Sequence, residues 1–376
     1  MNRFSQPVLC HPSTGQMILL MGLLLAIQAA FLKGEQASDY YSVDNYPDVE
    51  KIDAHFHIRT VDTEFVARAT EDGFRFLNVV VHTADETELR KRHQAAWAQQ
   101  QAHPDRVEVV VAFPLKGWDE PDWVERTLTF LRQAKSQGAI GVKIWKDVGM
   151  GFRDGMGDLV KVDNHQFDPV LNFMEQEGLR LMAHLGEPKN CWLPLDQMTV
   201  KNDRRYFAAH PEYHMYKHPE MPSYEDQLAA RDRMLDKHPN LPFLGAHFGS
   251  LEWSVDLLAD FLDRYPAARV DTAARMGQIQ YQSQNDPSKV RSFFIRYQDR
   301  ILYGTDGGVQ APGQAKAASL QMQRRWLSDW TYFCTDQEQS VPELDLPVRG
   351  LKLPRAVVDK IYHGNARQLF PSAWSD

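Results

Sequence analysis

Cysteine is scarce in this chain, with 3 in 376 residues, so no disulfide framework can be read from its spacing. Cys10 precedes an apolar N-terminal stretch and is not placed as a lipoprotein cysteine would be. Cys191 and Cys334 follow it, and the sequence leaves open whether they pair. Basic clusters are missing too. The formal net charge is -8, which argues against nucleic acid as a partner. Length for a membrane span is lacking in residues 17–32, an apolar run broken only by Gln28 and preceded by Arg3 and no acid. It is short for a bilayer helix and suits the apolar region of a secretory signal. Residues 1–34 are therefore read as a signal peptide or an uncleaved N-terminal anchor. The protein is expected to be exported, periplasmic or secreted, touching a membrane only through an uncleaved segment. A glycine-rich phosphate loop is also absent after the first apolar run of the folded region, where the chain reads Ile58-Arg59-Thr60-Val61. That disfavours a doubly wound nucleotide-binding sheet.

What is present is an ordinary globular composition, 43% hydrophobic and 24% charged, in a chain long enough for one large, well-buried domain. After a polar linker at 35–50, short apolar runs alternate with amphipathic stretches. Strands are expected at 51–58, 74–83, 107–115, 139–146, 179–186, 242–249, 268–273 and 301–306. Their cores are rich in Val, Ile, Leu and Phe, as strands buried on both faces require. Helices are expected between them, for example at 86–101, 123–136, 169–176, 224–237 and 253–264. Gly138 stops the second of these and Ser250 precedes the last. Eight such units predict an α/β fold, a single-domain (β/α)8 TIM barrel over 51–376, with a long insertion at 187–223 between strands 5 and 6.

The tripeptide His55-Phe56-His57 ends the first run. Side chains two apart on a strand share a face, so both imidazoles can aim at one metal ion. Three further runs end alike: Ala183-His184 before Gly186, Ala246-His247 before Gly249, and Thr305-Asp306 before Gly307. A barrel brings the C-terminal ends of its strands to one mouth. Three imidazoles and a carboxylate there suit one divalent ion, Zn2+ foremost, with Mn2+, Fe2+ or Co2+ as alternatives. His55, His57, His184 and Asp306 would hold it and leave a position open. Such an ion brings the pKa of water towards ~7. Asp306 would then serve as general base as well as ligand, and His247 would polarise a carbonyl or relay a proton.

The motifs Ile52-Asp-Ala-His55-Phe-His57, Gly141-Val-Lys143, Ala183-His184, Gly245-Ala-His247, Tyr303-Gly-Thr-Asp306 and Gly364-Asn-Ala-Arg367-Gln-Leu-Phe370 carry a resemblance. Together they resemble the amidohydrolase superfamily. More narrowly they resemble its mononuclear barrel branch, which includes aminocarboxymuconate semialdehyde decarboxylase and related lactonases and hydratases. The resemblance implies metal ligation by His55, His57, His184 and Asp306, and a catalytic role for His247.

Lys143 ends strand 4, where binuclear relatives place a carbamylated lysine. It reads here as a substrate-binding lysine, with the carbamate bridge as the alternative. Arg275, just past strand 7, suits bidentate capture of a substrate carboxylate; the competing reading is an ion pair with Asp271. The insertion carries Trp192, Tyr206, His210, Tyr213, His214, Tyr216 and His218. A connection of that length is usually functional, so it is either a lid over a planar acidic ligand or a cap packed on the barrel. Glu187 would orient a histidine or be an ordinary loop acid. The expected activity is metal-dependent hydrolysis of an amide, ester or lactone in a small carboxylate-bearing substrate. Non-oxidative decarboxylation or hydration of a small unsaturated or aromatic acid is the alternative, and a catalytically silent binding barrel the second. Beyond a small-molecule substrate the only partner envisaged is a second copy in a homo-oligomer.

Overall fold

The computed structural model describes residues 39–374, so the N-terminal signal or anchor lies outside the described residues. Nine strands form one parallel sheet: β1 Lys51–Ile58, β2 Phe74–Val79, β3 Val107–Val111, β4 Ala139–Ile144, β5 Arg180–Ala183, β6 Phe243–Gly245, β7 Ala268–Asp271, β8 Ile301–Leu302 and β9 Gly307–Val309. Their order is β8-β7-β6-β5-β4-β3-β2-β1-β9. β8 pairs with β7 and β9 pairs with β1. They are two halves of the eighth strand. Between them the chain stays against β1, Ala54 N–H donating to Tyr303 O at 2.9 Å and Asp306 N–H to His55 O at 2.8 Å. The fold is the expected α/β TIM barrel. Glycine makes the closure possible at Gly308, where a Cβ would lie 2.7 Å from the His57 carbonyl oxygen.

Each expected run contains a strand, but most strands end before the predicted boundary. β6 stops at Gly245 because His247 and Phe248 take left-handed backbone angles, φ +59 and +55. Residues 246–249 are a tight turn, so His247 stands just beyond its strand, as do His184 and Asp306. The helix expected from 253 spans Val255–Arg264, and its start is capped by Ser254, whose Oγ accepts from Leu257 N–H. Ser250 instead closes the turn after β6, its Oγ donating to Leu185 O at 2.8 Å.

β1 is buried along all eight residues, and its faces exchange partway. Ile52 and Ala54 pack inside the barrel with Leu77, Val110, Met182 and Leu244. Phe56 and Ile58, of the same parity, pack outside; the Phe56 ring lies 5.0 Å from Phe65. The pairing of β1 with β2 shifts register between Asp53 and Phe56. An irregularity of this kind re-aims side chains, and here it turns His55 and His57 to the inside. Outside, Trp326 stacks on Phe74 with centroids 3.9 Å apart. Both rings are fully buried, the type of aromatic contact that dominates a core.

Within the stretch read as a linker, Val43–Asp48 form a 3-10 helix with Tyr46 buried against Trp330. The insertion folds into short helices, the longest Lys201–Ala209. It has its own apolar cluster of Cys191, Met198, Phe207 and Met215. Asp203 ties it to the barrel, its Oδ2 accepting from Asn190 Nδ2 at 2.8 Å and Gln278 Nε2 at 2.9 Å. Tyr206, Tyr213 and Tyr216 remain exposed. Cys191 and Cys334 are both free and buried. Among the described residues no helix is long and apolar enough to cross a membrane.

Candidate metal centre and active site

His55 and His57 are fixed in one tautomer each by what their Nδ1 atoms meet. His55 Nδ1 lies 2.9 Å from Asp271 Oδ2, and His57 Nδ1 lies 2.7 Å from the Val79 carbonyl oxygen. A carbonyl or carboxylate oxygen only accepts, so each Nδ1 carries the proton and each Nε2 presents a lone pair. Those two lone pairs converge on Asp306. His57 Nε2 is 2.9 Å and His55 Nε2 3.5 Å from Asp306 Oδ1. Burial alone would raise the Asp306 carboxyl, but the surrounding imidazoles of His57, His247 and His55 outweigh it and hold the group well below the usual range. Asp306 is therefore ionised. Neutral imidazole lone pairs facing a carboxylate oxygen repel unless a cation lies among them.

The donor set fits a divalent ion. Around a metal with bonds near 2.1 Å, adjacent ligand atoms lie about 3.0–3.4 Å apart, close to the spacing seen here. The ligand atoms of His55, His57 and Asp306 all fall within 4.8 Å of one another. The N–H-to-acceptor bonds behind both histidines are the second layer such sites use to aim their ligands. Lys143 Nζ lies 3.3 Å from His55 Nε2. Burial, opposed by Asp271 and Asp306, lowers its pKa to about 8, so the amine shares its proton readily near neutrality.

His184 and His247 form a second pair. His247 Nδ1 lies 2.8 Å from Ala273 O, and His247 Nε2 lies 3.1 Å from His184 Nδ1. Ala273 O takes the His247 proton, so His247 Nε2 accepts and His184 Nδ1–H donates. His184 Nε2 is then a lone pair, and it is buried with no hydrogen-bond partner. It lies outside the group formed by His55, His57 and Asp306. The two groups meet at His55, whose ring is 4.9 Å from that of His247. Burial pushes the pKa values of both His184 and His247 well down, aided at His184 by neighbouring positive charge and opposed at His247 by Asp306, keeping both neutral.

Asp271 is the residue the sequence reading underrated. Its Oδ2 accepts from His55, while its Oδ1 accepts from the backbone N–H of His247 at 2.8 Å and of Ala273 at 3.1 Å. One carboxylate thus orients both histidine groups, and its acceptors are used up by donors. A buried acid closing strand 7 was the available signal. His247 at φ +59 and Asp306 at φ +59 hold non-glycine residues in a conformation that costs of order 1–2 kcal/mol. Such strain collects at functional sites.

Arg275 makes no ion pair with Asp271. Its Nη1 donates to Ala274 O at 3.2 Å, and its Nε is buried without a partner. Its charge is felt by His184, His247 and the buried acids Asp203 and Glu252. Glu187 pairs with Lys146 rather than with a histidine. The insertion's His214 is spent on the fold, donating from Nε2 to Leu193 O at 2.8 Å.

Compared with protein families, residues 52–372 match a family model described as amidohydrolase. A comparison with curated proteins gives no match. Among solved structures, 2,6-dihydroxybenzoate decarboxylase from Rhizobium is similar at 18% identity and TM-score 0.49, over 86% of this chain and 99% of that one. A 5-carboxyvanillate decarboxylase from Novosphingobium aromaticivorans, complexed with manganese and a nitrobenzoic acid, is similar at 14% identity and TM-score 0.45, over 89% and 100%. A 4-oxalomesaconate hydratase from Rhodopseudomonas palustris follows at 11% identity and TM-score 0.44, over 85% and 95%. Likeness at this level carries no substrate across to this chain.

Proposed function

This chain belongs to the amidohydrolase family, and we propose that it is a metal-dependent hydrolase cleaving an amide, ester or lactone bond in a small carboxylate-bearing substrate. The observation that supports this is the convergence of the His55 and His57 Nε2 lone pairs on ionised Asp306. His55, His57 and Asp306 would hold one divalent ion, Zn2+ foremost, and the unpartnered His184 Nε2 is the remaining free imidazole donor. When bound, the ion supplies Lewis acidity, polarising a carbonyl and acidifying water.

The chain's own groups do the rest. Asp306 Oδ1 is engaged by the histidines, so Oδ2 is the atom that accepts the proton of the attacking water. His247, neutral and held by Ala273 and Asp271, accepts and passes a proton through Nε2 towards the leaving group once a substrate group takes the place of the His184 Nδ1–H there. Lys143 Nζ donates to a substrate oxygen beside His55. The Arg275 guanidinium holds the substrate carboxylate, a charge-assisted bond with geometric specificity.

Arg275 also favours a second reading, decarboxylation. A buried arginine donor without a partner beside His184 and His247 would hold a carboxylate at the reacting end itself. One assay separates the two. Metal-loaded full-length protein is incubated with aryl esters, N-acyl amino acids, lactones and hydroxybenzoates, while titratable acid and carbon dioxide are measured in parallel. Acid release from an ester, amide or lactone supports hydrolysis. Carbon dioxide from a hydroxybenzoate, with no acid release from the others, replaces it with the second reading.

A further inference from the structure

A cleft of ≈ 600 Å³ opens beside the metal centre, and the mechanism above does not use it. Arg59, His82, Arg92, Trp145, Asp147 and Arg153 are among its lining residues. They follow the C-terminal ends of β1, β2 and β4, except Arg92, which reaches back from the helix Glu86–Ala102. The cleft therefore shares the barrel face of His57 and Asp306.

Its charge is unbalanced. Asp147 is the acid in this wall, and its Oδ2 is taken by His82 Nδ1 at 2.5 Å. Arg92 is held in place, Nε on Glu88 Oε1 at 3.1 Å and Nη1 on Val81 O at 3.0 Å. Arg153 Nη1 donates to Gly157 O at 2.7 Å. Arg59 differs from both. Its backbone N–H stays in the ladder, donating to Val309 O at 2.9 Å. Its guanidinium is half-buried and makes no hydrogen bond or ion pair among the described residues. Its donors open onto the cleft without a protein acceptor, and an oxyanion satisfies two of them at once. Arg59 shares this wall with Arg92 and Arg153. Two like charges close together at the wall are relieved by an anion placed between them.

Position fixes what that anion belongs to. Residues 55, 57 and 59 share one face of the extended β1 segment, so Arg59 is the next inward step after His57, about 7 Å along the strand. A single ring or a short chain spans that offset. Trp145 and Phe152 give the cleft flat apolar wall. We infer that this cleft is a second anion subsite, in which Arg59, with Arg92 and Arg153, takes a carboxylate or phosphate carried on the far side of the substrate. The inference rests on the function proposed above and narrows it, from a substrate with one acidic group to one with two.

The test uses metal-loaded full-length protein and two probes in calorimetric titration, benzoate and isophthalate, the latter with a second carboxylate across the ring. Isophthalate is expected to bind roughly tenfold more tightly than benzoate, the worth of one charge-assisted contact. In Arg59→Gln the ratio is expected to fall to about one, with the metal content of the parent retained. Arg59→Lys is expected to keep part of the preference, since it restores a point charge without the fork. Equal affinities for the two probes on the parent, absence of binding included, would overturn the subsite. So would a preference that persists in Arg59→Gln. A parallel titration of metal-stripped protein reports on the metal centre alone. Benzoate binding that survives stripping counts against the proposed function and leaves the Arg59 comparison readable.

Discussion

Asp271 Oδ2 lies 2.9 Å from His55 Nδ1, and the same carboxylate takes the His247 backbone N–H at 2.8 Å on Oδ1. Burial alone would raise its pKa, but His55, whose Nδ1–H it accepts, together with His247 and Lys143 holds it below the usual value. It is thus an ionised, fully buried anchor between the metal-facing histidine and the proton-relaying one. Asp271→Asn keeps the size but offers one acceptor oxygen for two sets of donors. Metal affinity, measured by competition with a chelator, is expected to fall roughly 10–100-fold, the usual cost of losing an outer orienting group. Parent-like affinity in the variant would show that Asp271 only supports the fold.

Asp306→Asn is expected to abolish turnover with the fold largely kept. Asparagine tolerates the left-handed backbone found at this position, so melting temperature should change little while the proton-accepting oxygen is lost. Asp306→Ala, which lacks that tolerance, should be less stable. Wild-type kcat in Asp306→Asn would remove the residue from the mechanism.

Metal content separates one ion from two. The parent is expected to carry about one equivalent by elemental analysis, and the His55→Ala/His57→Ala double variant none. Two equivalents in the parent would instead assign Lys143 a carbamate bridge, which its pKa of about 8 makes chemically accessible.

Glu252 gives a pH signature. Burial raises its carboxyl pKa to about 7, with the Arg275 charge and the Lys189 N–H opposing. In the unfolded chain the group titrates near 4.5. The folded state therefore holds the extra proton between about 4.5 and about 7, and stability from this group is full below that window and lost as pH rises through it. Glu252→Gln removes the titration. Its melting temperature should match the parent near pH 4.5 and exceed it above pH 7, the gap opening across the window. A constant gap would contradict the assignment.

Asp203 tests how the insertion is held. Asp203→Ala leaves Asn190 and Gln278 without their shared acceptor, at a cost of roughly 2 kcal/mol. Hydrogen exchange in Lys201–Ala209 should accelerate while the strands stay protected. Uniform acceleration everywhere would mean the insertion is part of the global unfolding unit.

Much of this was legible in the sequence because it rests on local periodicity. Eight apolar runs with intervening amphipathic stretches are enough to specify a barrel, since strands buried on both faces must be covered by helices. The same logic placed His55, His57, His184, His247 and Asp306 at strand ends facing one mouth. Arg59 was not legible as a site residue, because an arginine after a strand has no chemistry until its neighbours are known.

What the sequence determined by itself is the element order and the side of the barrel on which its polar groups gather, because both follow from which residues must leave water. Only the tertiary structure decided how those groups divide. The register shift in β1 sets which parity faces inward, and nothing in the local pattern of 51–58 announces it. Asp271 was spent on His55 and His247 rather than on Arg275 because β7 lies between β6 and β8 in the closed barrel, a neighbourhood made of residues far apart in the chain. The left-handed turns at His247 and Asp306 are likewise imposed by barrel closure against local preference, and they bring the donors within reach of one another.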